Sequence, residues 1–139
     1  MMTKKLLLSF VLAGCVCVFG CSDKVPLGGT VTFSDDGTPL TTGAVFFETP
    51  TYRAQGDIRA DGTYTVGSET LTDGIPKGTY GISIRYAEEV TVTERPDGTS
   101  SERRRDLIDA KYRVAETSGL TFTVDGTNKK FDIQVDRAQ

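Results

Sequence analysis

From Gly29 onward, apolar and polar residues alternate along much of the chain. The runs TVTFS, TYTVG, LTFTV and FDIQV follow this pattern, and TYGISIRY places Tyr80, Ile82, Ile84 and Tyr86 on one face. A period of two is typical of strands that bury one face and expose the other. The denser run AVFFE predicts a central strand. We therefore predict about seven strands, near residues 29–34, 43–49, 54–60, 63–68, 79–87, 119–125 and 130–136.

A repeated Asp-Gly phrase separates these runs. DGTP begins at Asp36, DGTY at Asp61, DGTS at Asp97 and DGTN at Asp125. Aspartate tolerates the left-handed backbone conformation and glycine adopts it freely, so the pair favours tight turns. Calcium prefers about six to eight oxygens, often from closely spaced acids, whereas these loops lie far apart in the sequence. Short strands joined by such turns predict a single all-β domain, a β-sandwich.

The alternation continues beyond Tyr86, where the chain carries an insertion at about 88–106. A straight strand over residues 79–93 would span about 50 Å at ~3.3 Å per residue, too long for this domain. The strand therefore either bends near residues 88–89 or continues into a protruding hairpin with its tip at 95–101. A mobile loop is the alternative to the hairpin. In the segment that returns from the tip to the domain, we predict a helical turn around residues 106–110.

Within the insertion, Arg103, Arg104 and Arg105 form a basic run that could bind phosphate or an anionic surface. Glu102 and Asp106 flank the run, which favours a solvated segment with local ion pairs. The insertion remains the best candidate for contact with a partner, because loops carry function on a rigid scaffold. Residues 22–139 hold 14 basic and 19 acidic residues, a balance that does not favour a nucleic-acid partner.

The N-terminus has the composition of an export signal. The basic start MMTKK precedes an uncharged apolar stretch from Leu6 to Gly20. A charged start, a short apolar region and small residues at its end are typical of a secretory signal peptide. The stretch is shorter than the ~20 apolar residues that cross a bilayer. We therefore predict a signal peptide over residues 1–20.

Two cysteines compete as the lipidated first residue of a mature lipoprotein. LAGC, ending at Cys15, resembles the bacterial lipoprotein motif more closely than VFGC, ending at Cys21, because Phe19 is bulky where a small residue is usual. However, the chain stays apolar after Cys15 and turns polar directly after Cys21. Processing at Cys21 also leaves no free thiol in an oxidising compartment. We therefore predict lipidation at Cys21, with Cys15 as the alternative.

The body of the chain offers little for catalysis. It has no histidine and no GxSxG motif, and the nearest candidates for acid–base chemistry are the pairs Asp57/Asp61 and Glu88/Glu89. Such acids are ordinary at strand ends, so we predict no catalytic residue, no metal site and no cofactor. An enzyme is the remote alternative. A carbohydrate-binding surface is the nearer one, with Tyr52 and Tyr112 as the candidate aromatic residues.

Several motifs resemble the carboxypeptidase-regulatory-like, or transthyretin-like, domain. They are GGTVTFSDDGTPLTTGAVFFE, RADGTYTV and GIPKGTYGISI. The tail AKYRVAETSGLTFTVDGTNKKFDIQV is similar to the ending of small lipoproteins of this type from planctomycete-like bacteria. The resemblance covers residues 25–135, with the insertion least matched, and implies a seven-stranded Greek-key sandwich. In carboxypeptidases the module is an accessory to the catalytic domain, so the resemblance implies no activity.

These observations predict a membrane-anchored extracytoplasmic lipoprotein of the cell envelope, facing the periplasm or the exterior. Its segments would be the signal peptide, a tether over residues 21–27 and a non-catalytic sandwich over 28–139. The expected partners are the membrane, through the N-terminal lipid, and an envelope protein or glycan. Acyl chains would supply the anchor, because each buried methylene contributes ~0.8 kcal/mol.

Overall fold

The computed structural model describes residues 23–70 and 73–139. Within them the chain forms eleven strands, and the predicted all-β class is confirmed. The strands are β1 (Lys24–Val25), β2 (Leu27–Phe33), β3 (Ala44–Glu48), β4 (Arg53–Asp57), β5 (Thr63–Val66), β6 (Ile75–Pro76), β7 (Gly78–Arg85), β8 (Glu88–Glu94), β9 (Ser100–Asp106), β10 (Thr121–Val124) and β11 (Ile133–Val135).

Two sheets form a β-sandwich. One has the strand order β10-β7-β3-β4 and the other has the order β11-β2-β5. Together they contain one strand in each of the seven predicted ranges. Neighbouring strands are antiparallel except for β11, which runs parallel to β2. The run AVFFE lies between β4 and β7, so the predicted central strand is confirmed.

Aromatic side chains from both sheets meet in the core. Phe47 on β3 is fully buried, with its ring centroid 6.4 Å from that of Tyr64 on β5 and 6.3 Å from that of Tyr80 on β7. The ring of Phe131, just before β11, lies 6.4 Å away. Such ring pairs add stabilisation beyond the apolar area that they bury. Phe47 therefore joins the two sheets at the centre of the sandwich.

The N-terminal boundary of the sandwich lies earlier than predicted. Lys24, Val25 and Leu27, assigned to the tether, already belong to strands, because β1 pairs with β6 and β2 begins at Leu27. Val25 is 7% exposed and Leu27 is 2% exposed, so both side chains belong to the core. Pro26 lies between the two strands and is exposed. The signal peptide and both candidate lipidation sites lie outside the described residues.

The insertion is a protruding hairpin rather than a loop. β8 and β9 pair in an unbroken antiparallel register from Glu88 opposite Asp106 to Glu94 opposite Ser100. The alternating strand ends just before residues 88–89, where a bend was the alternative to the hairpin, because Tyr86 has a φ of 61°. β9 extends to Asp106, so the predicted helical turn begins later, as a 3₁₀ turn over Ala110–Arg113, followed by one turn of α-helix, α1, over Ala115–Ser118.

The four Asp-Gly-Thr phrases all form the same turn. In each, one carboxylate oxygen of the aspartate accepts both the N–H and the hydroxyl of the threonine two residues later. The intervening glycines have φ between 71° and 91°, in the left-handed region. The first aspartate, Asp36, also contacts Arg137, whose Nη2 lies 2.8 Å from its Oδ2. The interpretation of these phrases as turns is confirmed.

The turn at Asp36 predicts a loss of stability in acid. The hydroxyl and N–H of Thr38, together with Arg137, lower the pKa of Asp36 from 3.8 to about 2. The ionised carboxylate of Asp36 therefore stabilises the fold above about pH 3.8. This stabilisation is lost as the pH falls from 3.8 toward about 2. We expect Asp36→Ala to lower the melting temperature near neutral pH, with the difference from wild type vanishing at about pH 2.

Thermal melts monitored by circular dichroism across this pH range would test the prediction. Thr38→Val is the matched control, because it keeps the carboxylate and removes only the hydroxyl donor. It should reproduce part of the pH-dependent difference. A deficit of Asp36→Ala that is as large in acid as at neutral pH would contradict the assignment.

Candidate functional site

A polar cluster centred on Glu48 lies on the outer face of the four-stranded sheet. Its carboxylate accepts hydrogen bonds from Arg85 Nη2 at 2.8 and 3.0 Å and from Ser83 Oγ at 3.0 Å. Arg53 Nε lies 2.8 Å from Glu48 Oε1. The strand register explains the cluster, because Glu48 lies opposite Arg53 on β4 and opposite Gly81 on β7. Two guanidinium groups thus share one largely buried carboxylate.

Phe46 forms the floor beneath these guanidinium groups. Its ring is buried on the outer face, and the guanidinium carbon of Arg85 lies 4.7 Å from the ring centroid. That of Arg53 lies 5.9 Å from the same centroid. Arginine stems cover apolar surface while their charged ends stay near water, and the cation is attracted to the ring face. This explains why both faces of β3 are buried.

The 3₁₀ turn and α1 form a strap across β7. The hydroxyl of Ser118 donates to the carbonyl of Ile82, and the absence of a side chain at Gly81 makes room for Ala115. A cleft of about 600 Å³ remains between the strap and the turn joining β3 to β4. Its lining includes Thr49, Pro50, Arg53, Arg85, Ala115 and Glu116. The lining therefore combines charged and hydroxyl side chains with the small apolar surfaces of Pro50 and Ala115.

Tyr86 is 70% exposed and directly follows Arg85, whose side chain lines the cleft. The sequence placed it on the core face of β7 with Tyr80, Ile82 and Ile84, and that prediction is wrong. The positive φ of Tyr86 ends the alternation of the strand and turns the side chain outward. Its ring meets that of Phe46 edge-on at 6.3 Å and borders a second hollow, of about 220 Å³, with Arg85 and Arg113.

The two tyrosines proposed from the sequence as sugar platforms are packed into the domain. Tyr112 is 5% exposed, and its hydroxyl donates to Asp136 Oδ2 at 3.1 Å. Tyr52 packs against Tyr80, with 6.0 Å between the ring centroids. Tyr112 is thus buried, and Tyr52 is half-buried against the core. The exposed aromatic residue next to Arg85 is instead Tyr86, and no alternation rule identifies it.

The acid pairs considered for catalysis occupy ordinary positions. Asp57 is exposed at the end of β4, and Asp61 is engaged in its own turn, where the hydroxyl and N–H of Thr63 lower its pKa. A general acid at neutral pH needs a raised pKa, which is the opposite shift. Glu88 lies 3.7 Å from Arg104, and Glu89 is exposed on the opposite face of β8.

The arginine run divides between the two faces of the hairpin. Arg104 pairs with Glu102, at 2.7 Å, and lies on the same face as Val90 and Val92. Arg103 and Arg105 occupy the other face, where no carboxylate of the described residues lies within ion-pair distance of them. The predicted local pairing therefore holds for one of the three arginines.

A second polar cluster fixes the first described residues at one end of the sandwich. Lys24 Nζ lies 2.6 Å from Asp73 Oδ2 and donates to Ser68 Oγ at 3.1 Å. The Lys24 ammonium lowers the pKa of Asp73, as do the N–H groups of Ser68 and Glu69. β1 pairs with β6, which directly precedes β7, whereas the hairpin follows the other end of β7. The N-terminal strand and the hairpin therefore lie at opposite ends of the sandwich.

In residues 23–70 and 73–139, no three acidic or cysteine side chains come together in a way that could hold a metal ion. Over the same ranges, no helix has the length and apolar character needed to cross a membrane.

The Glu48 cluster predicts an asymmetric response to mutation. Glu48→Ala leaves the buried Ser83 hydroxyl and the largely buried guanidinium of Arg85 without their acceptor, and should lower the free energy of unfolding by about 3 kcal/mol. Arg53 is 60% exposed, so Arg53→Ala should cost only about 0.5 kcal/mol. Urea denaturation measures both. Glu48→Gln, which keeps an acceptor for Ser83, should fall between them, and equal losses for the two alanine variants would contradict this account.

No protein-family model matches the chain, and no curated protein matches its sequence. Among solved structures, the chain is similar to BcpA, the major pilin subunit of Bacillus cereus, with 14% identity and a TM-score of 0.45 over 83% of this chain and 30% of the pilin. It is also similar to a 9R-lipoxygenase from Cyanothece, with 15% identity and a TM-score of 0.35 over 81% of this chain and 16% of the enzyme. The chain thus spans about 30% of the pilin's length.

Proposed function

We propose that this protein is a membrane-anchored lipoprotein of the cell envelope whose non-catalytic β-sandwich serves as a structural or protein-interaction module. The observation that carries the proposal is the arrangement of the two ends of β7. The N-terminal strand is fixed near its beginning, and the hairpin leaves from its end. An anchored domain of this shape directs the hairpin away from the anchor.

The anchoring half of the proposal is supported by the N-terminal sequence. A basic start and an apolar stretch lead to Cys21, and only Ser22 and Asp23 separate this cysteine from Lys24. Lys24 is in turn held by Asp73 and Ser68, so little free chain separates Cys21 from the sandwich. A short connection of this kind keeps the domain close to the bilayer that holds its lipid.

The interaction half is supported by the hairpin. It contributes little to the core, since β8 is exposed from Glu89 to Glu94, yet both of its ends are firmly attached. Leu107 N–H donates to the carbonyl of Ala87 at 2.9 Å, and Ala87 and Ile108 are both buried. An exposed element held rigidly by the scaffold is typical of a contact surface.

We further propose that the sandwich has the Greek-key connectivity of transthyretin-like domains. Support comes from the path of the chain between the sheets. β3 and β4 are consecutive neighbours in one sheet, whereas the connections from β2 to β3, β4 to β5 and β10 to β11 pass from one sheet to the other. Such crossings are usual in Greek-key sandwiches.

A carbohydrate-binding surface is a second candidate function. The observation that favours it is the exposed ring of Tyr86, next to Arg85, whose side chain lines both the cleft and the second hollow. An amphipathic ring next to planar hydrogen-bonding groups suits a sugar, which has an apolar face and a polar edge.

Metabolic labelling with a radioactive fatty acid tests the anchor. We expect the wild-type protein to carry label and to partition with the membrane, and Cys21→Ser to lose both properties. Cys15→Ser is the matched control and should retain the label. Label that survives Cys21→Ser but not Cys15→Ser would move the anchor to Cys15, and an unlabelled wild type would overturn the lipoprotein assignment.

A glycan array probed with the purified protein tests the second candidate. If the cleft binds sugars, Tyr86→Ala should weaken the binding about fivefold, because aromatic contacts contribute on the order of 1 kcal/mol. Tyr52→Phe should leave binding unchanged, because it removes only a hydroxyl that has no hydrogen-bond partner in the described residues. Binding that is insensitive to Tyr86→Ala, or no binding at all, would exclude this use of the cleft.

A further inference from the structure

The free edge of β8 is an unoccupied hydrogen-bonding surface. Within the described residues, β8 pairs only with β9, so its other edge has no neighbouring strand. An exposed strand edge presents a row of N–H and C=O groups that can accept a further strand. The edge is seven residues long and spans ~23 Å at ~3.3 Å per residue.

The hydrogen bonds at the two ends of the hairpin show which groups face outward. Arg95 N–H donates to the Thr99 carbonyl at the tip, and Leu107 N–H donates to the Ala87 carbonyl at the base. Bonded and non-bonded pairs alternate along an antiparallel ladder, so the odd-numbered residues of β8 bond to β9. The N–H and C=O groups of Glu88, Val90, Val92 and Glu94 therefore point away from β9.

The side chains of these same four residues share one face. Val90 is 49% exposed and Val92 is 59% exposed, and a glutamate lies on each side of the pair. Glu94 has no ion-pair partner among the described residues, and Glu88 has only the distant contact with Arg104 at 3.7 Å. Along this edge, two apolar side chains, Val90 and Val92, therefore lie between two acidic ones, Glu88 and Glu94.

We propose that β8 binds an extended segment of a partner protein by strand addition, and that this segment carries basic residues flanking two β-branched apolar residues. A strand with Lys-x-Val-x-Val-x-Lys would place its valines against Val90 and Val92. Its lysines would then meet Glu88 and Glu94. Main-chain hydrogen bonds give affinity in this mode of recognition, and the alternate side chains give specificity. The order of acidic and apolar residues along β8 is symmetric, so the partner strand can pair with β8 in either the parallel or the antiparallel direction.

A second copy of this chain fits the edge poorly. Antiparallel pairing of two β8 edges about Thr91 places Glu88 of each copy opposite Glu94 of the other. Like charges directly opposite one another destabilise a strand pair. The terminal glutamates thus disfavour self-association and leave the edge open to a basic strand, which is discrimination by charge.

This inference deepens the proposed function by naming its partner class, and its test is independent of the lipid. The full chain in detergent micelles would be titrated against a fluorescent Lys-Thr-Val-Thr-Val-Thr-Lys peptide, with anisotropy as the readout. We expect saturable binding that a peptide with glutamates in place of the lysines does not show. Acyl labelling reports on the anchor alone, so the two proposals can fail separately.

Proline variants at matched edges locate the binding strand. Val92→Pro removes an outward N–H that the hairpin itself does not use, and should weaken binding at least ~10-fold. Ser100→Pro removes an outward N–H on the opposite edge, that of β9, without removing a charge, and should change affinity less than ~2-fold. Loss with Ser100→Pro alone, or with neither variant, would overturn the assignment to β8.

A charge reversal keeps the test decisive if a proline variant unfolds the hairpin. Glu88→Lys combined with Glu94→Lys should switch the preference from the lysine-flanked to the glutamate-flanked peptide. Unchanged preference, or wild-type binding of both peptides, would overturn the proposal. Sedimentation of the wild type would reveal a dimer if the edge instead pairs with a second copy, and a dimer abolished by Val92→Pro would also overturn it.

Discussion

Residues 22–139 contain no cysteine, so no disulfide can hold the two sheets together. The sandwich depends instead on the side chains that meet between the sheets, and Phe47 is at their centre. Its ring contacts Tyr64 from the opposite sheet and Tyr80 from its own. Because a small domain buries a limited fraction of its surface, dense packing at such a point carries much of its stability.

The packing between the sheets also determines where the polar cluster and the strap lie on the outer face. β7 pairs with both β3 and β10 and buries Tyr80, Ile82 and Ile84 on its inner face. With its position fixed from within, its outer face supplies Ser83 and Arg85 to the Glu48 cluster. The strap rests on it where Gly81 leaves room. Packing of β7 in the core therefore determines the geometry of the cleft, although the residues that line the cleft do not pack between the sheets.

The hydrophobic pattern located all seven strands of the two sheets, because alternation marks strands that bury one face and the dense run AVFFE marks β3, which buries both. The pattern was uninformative elsewhere. β8 and β9 bury neither face, so nothing in VTVTE or SERRR distinguished a hairpin from a loop. β1 and β6 are two residues long, too short for a pattern. Tyr86 adopts a positive φ that no property of tyrosine favours, and its exposure next to Arg85 follows from that single torsion angle.

The direction of β7 links these features to the proposed anchor. In a chain lipidated at Cys21, the bilayer lies near Lys24, at the beginning of β7, and the hairpin extends from its end. Residues 78–94, taken as fully extended, reach about 55 Å at ~3.3 Å each, so the tip stands at most that far beyond the start of β7. Val90 and Val92 are exposed on β8, so a partner in the aqueous phase reaches them without displacing any part of the core.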